Sequence, residues 1–348
     1  MFGKTTTALL AAAMFAGSVA VAQARDLTVA SWGGTYQKAQ KQVWFDPFVK
    51  ETGIPMTDDA WDGGIGVLRA KVEGGNANWD VVQVESDELL LGCEEGLFEP
   101  LDWSRIGGKD NYLPAAVHEC GVGVIFWDFV LAYDKNRLKA APKGWADFFD
   151  TKTFPGKRAL RSSAKSTLEI ALMADGVAIG DVYKVLGTKE GQDRAFKKLD
   201  SIKKDLIFWK AGAQPSQFLA AGEVVMTSAY NGRIDAANKT DHRNFGITWN
   251  GALYTVDSEV ILKGSPNQKQ AYAFLNYIGK PEVQIKLSPF IAYGPTSKRA
   301  TDLVDPKRRG DLPTAPENMK NALKIDAAFW LENNDRLNER FNKWAATK

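Results

Sequence analysis

Apolar and polar positions alternate in two rhythms along the chain. Leu27–Ser31 is a short apolar, β-branched run. Gly33-Gly34 interrupts it, and Thr35 is placed to cap a helix whose inner face opens with Tyr36, Ala39 and Val43. Ile65, Leu68 and Val72 mark a second helical face that closes at Gly74-Gly75, and residues 79–84 then read as a strand. Residues 122–133 and 223–229 are further strand-like runs, each preceded by a helical pattern or a turn. Strands alternating with helices predict an α/β protein with parallel sheets. Asp46-Pro47-Phe48 and Lys280-Pro281-Glu282 are expected to bound elements. Near the C-terminus Trp330, Leu337, Phe341 and Trp344 recur at spacings of seven, four and three, the stripe of an amphipathic helix that packs on the core or between lobes.

At 348 residues and 45% hydrophobic, the chain exceeds what one core organises efficiently, so two domains are expected. No flexible linker divides it, which points to ordered crossovers and a hinged cleft. Residues 1–24 read as a secretory signal peptide: Lys4, an apolar run over 8–21, and Ala22-Gln23-Ala24 as a small-x-small cleavage site. The expected address is the periplasm. The apolar run is too short to span a bilayer, and no later stretch approaches about 20 uninterrupted apolar residues. Without Lys4 the 44 basic residues become 43 against 42 acidic ones, which excludes a strongly basic nucleic-acid surface. Cys93 and Cys120 lie 27 positions apart in the exported part and suggest a disulfide, with two buried thiols as the alternative.

Catalytic signatures are sparse. His118 and His242 are the two histidines, and neither has a metal-ligand spacing; no metal or cofactor is expected. Ser162-Ser163-Ala164-Lys165 fits an SxxK pattern, which leaves an exported serine hydrolase as an alternative, but the companion SDN and KTG elements are missing. The segment reads far better as a polar loop leading into a helix over 167–175. Rings beside turns and acids are more frequent: Trp32-Gly-Gly-Thr35-Tyr36, Trp61-Asp62-Gly-Gly, Tyr230-Asn-Gly-Arg233, Tyr254-Thr-Val-Asp257-Ser and Tyr293-Gly-Pro. The first stands at a strand's carboxyl end, where ligands bind in parallel α/β sheets. Rings attract an ammonium by about 0.5 to 2 kcal/mol each, whereas micromolar affinity needs about 8 kcal/mol, so a buried acid is required. Asp257 is the first candidate and Glu85 the second.

These residues resemble the polyamine-type substrate-binding proteins of bacterial ABC importers over essentially the whole mature chain. The likeness rests on the opening strand with Trp32 and Tyr36, on Trp79-Asp-Val-Val, and on Cys93-Glu-Glu-Gly-Leu-Phe-Glu-Pro-Leu-Asp102. It continues through Gly222-Glu-Val to Tyr230-Asn-Gly, Val256-Asp-Ser and Tyr293-Gly-Pro-Thr296. The resemblance implies a two-lobed periplasmic-binding-protein fold of type II with hinge crossovers, closure on a ligand between the lobes, and docking onto an ATP-driven inner-membrane permease. The lobes are expected to comprise 25–131 with 255–300, and 132–254 with 301–348. Carried over residue by residue, Trp32, Thr35 and Tyr36 form the first lobe's ligand-facing turn, and Tyr230 and Tyr293 are cleft rings. Asp257 pairs with an amine, and Glu85 and Ser86 hold looser roles.

Where spermidine binders carry two acids, this chain has Ser163 and Ser166 with Lys165 between them. Fewer acids imply fewer ammoniums or a ligand of mixed charge, because an unpaired buried charge costs several kcal/mol. Arg161, Lys165 and Arg233 can hold a carboxylate. The leading expectation is a monomeric binder of a small amine of the putrescine or spermidine class, with no catalysis and no nucleic acid. The alternative keeps that role for a zwitterion: an amino acid, γ-aminobutyrate or an opine. Ferric-ion binding is weaker, since Tyr230 is followed by Asn231 and not by a second tyrosine.

Overall fold

The computed structural model describes residues 25–74 and 78–347. The signal-peptide segment expected over 1–24, and Gly75 at the expected helix end, lie outside the described residues. Among the described residues nine strands form one continuous sheet: β1 (Leu27–Ser31), β2 (Met56–Ala60), β3 (Val81–Val84), β4 (Gly121–Asp134), β5 (Arg158–Arg161), β6 (Leu206–Trp209), β7 (Met226–Tyr230), β8 (Phe245–Ile261) and β9 (Leu323–Lys324). Their order is β2-β1-β3-β8-β4-β7-β5-β6, with β9 on the side of β8. β1 pairs parallel with β2 and β3, and β5 pairs parallel with β6 and β7. These two parallel wings are the sheets of a two-lobed α/β fold.

Two long antiparallel strands join the wings. β4 is buried at all 14 positions, and its partner β8 runs for 17 residues. Such a strand needs apolar side chains on both faces, which explains why 122–133 reads as a near-continuous apolar run and not as an alternation. The register between β4 and β8 slips at Gly123/Ile125 and at Phe129/Leu131. Gly123 is required at the first slip: a Cβ there would lie 2.6 Å from the Ala116 Cβ and 2.7 Å from a Val256 methyl.

The first helix departs from expectation. It begins at Gly34 after Gly33, and the Gln37 side chain accepts from the Gly33 amide, so Thr35 is an exposed first-turn residue and not the cap. The chain also stays helical through Asp46-Pro47-Phe48. A π-helical stretch, Lys41–Phe45, precedes Asp46–Thr52, and Pro47 sits in the opening turn of that segment, where its missing N–H costs least. At Lys280-Pro281-Glu282 the expected boundary is observed, between helices Gln268–Ile278 and Pro281–Gln284.

The C-terminal helix, Ala327–Ala346, buries Trp330, Leu337 and Phe341 and packs against two helices, Ser86–Glu94 behind β3 and Ala164–Ala174 behind β5. It therefore touches both wings. Trp330 Nε1 and the Tyr183 hydroxyl donate to Glu169 Oε1 at 2.7 and 3.0 Å, while Oε2 has no hydrogen-bond partner. Burial raises this carboxyl to about 7 in spite of those donors. An unfolded glutamate releases its proton near pH 4.5 whereas the folded one keeps it to about 7, so stability falls as pH rises through that window. Glu169→Gln is expected to flatten the dependence, removing on the order of 3 kcal/mol of pH-linked loss by pH 8. Urea unfolding of both proteins at pH 5 and pH 8 checks this; parallel losses count against it.

Candidate functional site

The carboxyl ends of β1, β3, β5 and β7 face one another across the β4–β8 ladder, and the cleft between them contains about 450 Å³ of empty space, mouth included. β1 delivers Trp32, whose ring stacks on Trp61 at 5.1 Å between centroids and 13° between planes. On the other side Tyr230, at the end of β7, packs against Trp127 at 4.9 Å and Phe129 at 4.6 Å. Tyr36 and Tyr293 meet edge to face at 5.3 Å on the floor.

Asp257 projects from β8 into this ring-lined space and is 3% exposed. Its carboxylate accepts from Trp127 Nε1 at 2.5 Å, Trp32 Nε1 at 2.7 Å and Gln83 Nε2 at 3.2 Å. Gln83 is fixed in turn by the Tyr36 hydroxyl and the Gln40 amide, both donating to its Oε1. All three donors to Asp257 are neutral, and among the described residues no lysine, arginine or histidine forms an ion pair with it. Burial, then the nearby Glu85 charge, push its carboxyl well above the ordinary range.

Arg233 is the complementary group. From the first turn of the Asn231–Thr240 helix it reaches the opposite lobe, donating to Trp32 O at 2.8 Å and Gly33 O at 3.3 Å. Glycine at the β1 turn makes this approach possible: Gly34 has φ of 61°, and a Cβ on it would lie 2.7 Å from Arg233 Nη1. Arg233 is 6% exposed, its Nε has no hydrogen-bond partner, and among the described residues no carboxylate forms an ion pair with it.

Glu85 differs from the expectation that it awaits a ligand's ammonium. Arg161 Nη1 lies 3.0 Å from Oε1 and Lys165 Nζ 2.5 Å from Oε2, and the Tyr230 hydroxyl is 3.4 Å from Oε1. Burial would raise this carboxyl, but Arg161 and Lys165 outweigh it and hold it at about 2. Lys165 also contacts Asp87 at 2.6 Å; burial opposes its charge, yet Asp87 and Glu85 lift it above the ordinary lysine value. A lysine held cationic by two acids cannot serve as the base of an SxxK nucleophile.

Of the residues singled out from sequence, Trp32, Tyr36, Trp61, Glu85, Tyr230, Arg233, Asp257 and Tyr293 line this cleft. The other four lie elsewhere. Thr35 points to solvent; Ser86 and Tyr254 border a separate hollow, where Thr255 Oγ1 donates to Ser86 Oγ at 2.9 Å; Ser163 Oγ donates to Asn338 on the C-terminal helix at 3.3 Å. Sequence reasoning missed Trp127 and Lys210 in the lining and Gln83, which donates to Asp257, and it quoted Asp62 only as a neighbour of Trp61. For Trp127 a signal existed: an indole in a strand buried at every position needs a hydrogen-bond acceptor, and a buried acid supplies it. Cys93 and Cys120 are bonded, with Cα atoms 5.8 Å apart, which decides against two free thiols. No cluster of metal-ligating side chains occurs among the described residues.

The two wings and the ring-lined cleft between them have the architecture of a solute-binding receptor. Residues 44–314 match the bacterial extracellular solute-binding protein family, and the chain belongs to that family. It is 46% identical over 329 residues to a γ-aminobutyric acid-binding protein of Pseudomonas aeruginosa, covering 94% of this chain and 93% of the relative. The putrescine-binding periplasmic protein SpuD of the same species is 25% identical over 338 residues, covering 89% of each. A solved GABA receptor is 35% identical with a TM-score of 0.81, spanning 93% of this chain and 98% of its own. The chain is thus a substrate-binding protein of the ABC-transport type and not an enzyme, and the fold and family implied by the resemblance are those found.

Proposed function

We propose that this protein is the periplasmic receptor for a short zwitterion of the γ-aminobutyrate class, which it delivers as a monomer to an inner-membrane ABC permease. One observation carries the reading: the cleft holds a buried acid, Asp257, and a buried guanidinium, Arg233, neither with an ionic partner among the described residues. A guest with an ammonium at one end and a carboxylate at the other satisfies both at once. The lining as a whole is balanced, with Asp62, Glu85 and Asp257 against Arg161, Lys210 and Arg233. A polycation needs a counter-charge at each ammonium, and this cleft has no surplus of acids to offer. The relative named for γ-aminobutyric acid, at 46% identity against 25% for the putrescine binder, supports the zwitterion over the amine expected first.

In this reading the rings sandwich the methylene chain, Asp257 takes the ammonium and Arg233 the carboxylate. Closure between the proposed lobes, 25–131 with 255–300 and 132–254 with 301–348, completes the site because the two charges come from opposite sides. Isothermal titration of ligand-stripped protein with γ-aminobutyrate, putrescine, spermidine and agmatine tests it. Micromolar or tighter binding of γ-aminobutyrate alone is expected; a diamine binding more tightly than γ-aminobutyrate overturns it.

A further inference from the structure

The cleft does not end in bulk protein on its Glu85 side. Trp32, Asp62, Glu85 and Arg161 line it on one face and a second hollow on the other. That hollow contains about 1140 Å³ of empty space, its open mouth included, and runs between the Ser86–Glu94 helix and the C-terminal helix. We infer that the Glu85–Arg161 ion pair, braced by Lys165, is the wall that limits the length of guest this receptor accepts.

The geometry supports a wall that is built and not incidental. Glu85 comes from the end of β3 and Arg161 from the end of β5, 76 residues apart, so the pair spans the two lobes. Lys165 holds the second carboxylate oxygen and ties it to Asp87. Lys165 gains this reach because the chain is not yet helical there: Lys165 is extended and Ser166 takes φ of 71°, and regular helix begins only after them. A non-glycine residue in that conformation persists only where its surroundings hold it. Every member of the wall is thus fixed by a partner other than the guest, as a group that rejects by position must be.

Beyond the wall the chemistry changes. The hollow adds Asp87, Glu88, Glu95, Glu332 and Asp335 against Arg69 and Lys165. Arg69 is bonded to Glu95 and Lys165 to Asp87, and Glu88 is taken up by the backbone N–H groups of Gly64 and Glu85, which leaves Glu332 and Asp335 in excess. With the wall in place the guest faces the balanced cleft alone. With it removed, a longer guest reaches an acid-rich chamber suited to a second ammonium.

This inference rests on the zwitterion reading for the guest, but length and charge are separable in one experiment. Wild type, Arg161→Ser and the double variant Glu85→Ser/Arg161→Ser are titrated with ω-amino acids of four to seven carbons and with α,ω-diamines of four to seven carbons. The double variant leaves no new unpaired charge, since Lys165 keeps Asp87, and so remains informative should the single variant fail to fold. In wild type, affinity is expected to fall steeply beyond the four- or five-carbon member. In the variants the ratio of long-chain to short-chain affinity is expected to rise at least tenfold, with diamines gaining most. A length profile unchanged by the substitutions, or a uniform weakening of every ligand, overturns the wall. A wild type that prefers diamines throughout overturns the zwitterion reading, while its length profile still judges the wall.

Discussion

Asp257→Ala is expected to weaken γ-aminobutyrate binding by about 2 to 5 kcal/mol, roughly 30- to 5000-fold, the range for truncating one partner of a buried charge pair. The substitution removes the one buried acid of the cleft that has no cation of its own among the described residues, and it strands two indole N–H groups, those of Trp32 and Trp127. Asp257→Asn is not a gentle alternative, since its amide would turn two donors toward one or the other indole N–H. Arg233→Ala is expected to lose at least as much as Asp257→Asn if the guest carries a carboxylate, and little if it is a simple amine. Comparing the two by isothermal titration, with thermal unfolding to show that both are folded, therefore identifies the guest's charge pattern as well as its site. Unchanged affinity in Asp257→Ala would place the site elsewhere.

Replacing Cys93 and Cys120 together by serine is expected to cost about 3 to 4 kcal/mol of folding stability in the chain-entropy account of a closed loop of this size. The bridge spans 27 positions and ties the end of the Ser86–Glu94 helix to the segment entering β4. Because Glu85 and Asp87 sit at the start of that same helix, the bridge also steadies the acids that meet Arg161 and Lys165. Urea titration of oxidised wild type against the double variant measures the effect, and superimposable transitions would show that the bridge is idle.

Much of the fold was legible because burial leaves a direct mark on sequence. The long run over 122–133 announces a strand covered on both faces, and the ring spacing from Trp330 to Trp344 announces a one-sided helix. Local exceptions were not legible. Nothing in Asp46-Pro47-Phe48 shows that an upstream π-turn lets the helix continue past a proline. The cleft was legible where a ring or an acid adjoins a turn, as at Trp32, Asp257 and Tyr293. It was illegible where the partner lies far along the chain: Glu85 and Asp257 look alike as candidates, and only the fold shows that Arg161 and Lys165 quench one and leave the other open. Ser163 misled for the same reason, since its neighbour Asn338 belongs to the distant C-terminal helix.

The continuous β4–β8 ladder sets the mechanics of the molecule. Both strands run unbroken from one wing to the other, so the wings cannot swing about a loose joint. Any movement of the wings has to bend this hydrogen-bonded ribbon, whose register slips at two places, beside Gly123 and Val130. If the proposed closure bends it, such a ribbon would act as a leaf spring, storing energy that contacts with a captured guest hold down and returning it as the mouth reopens.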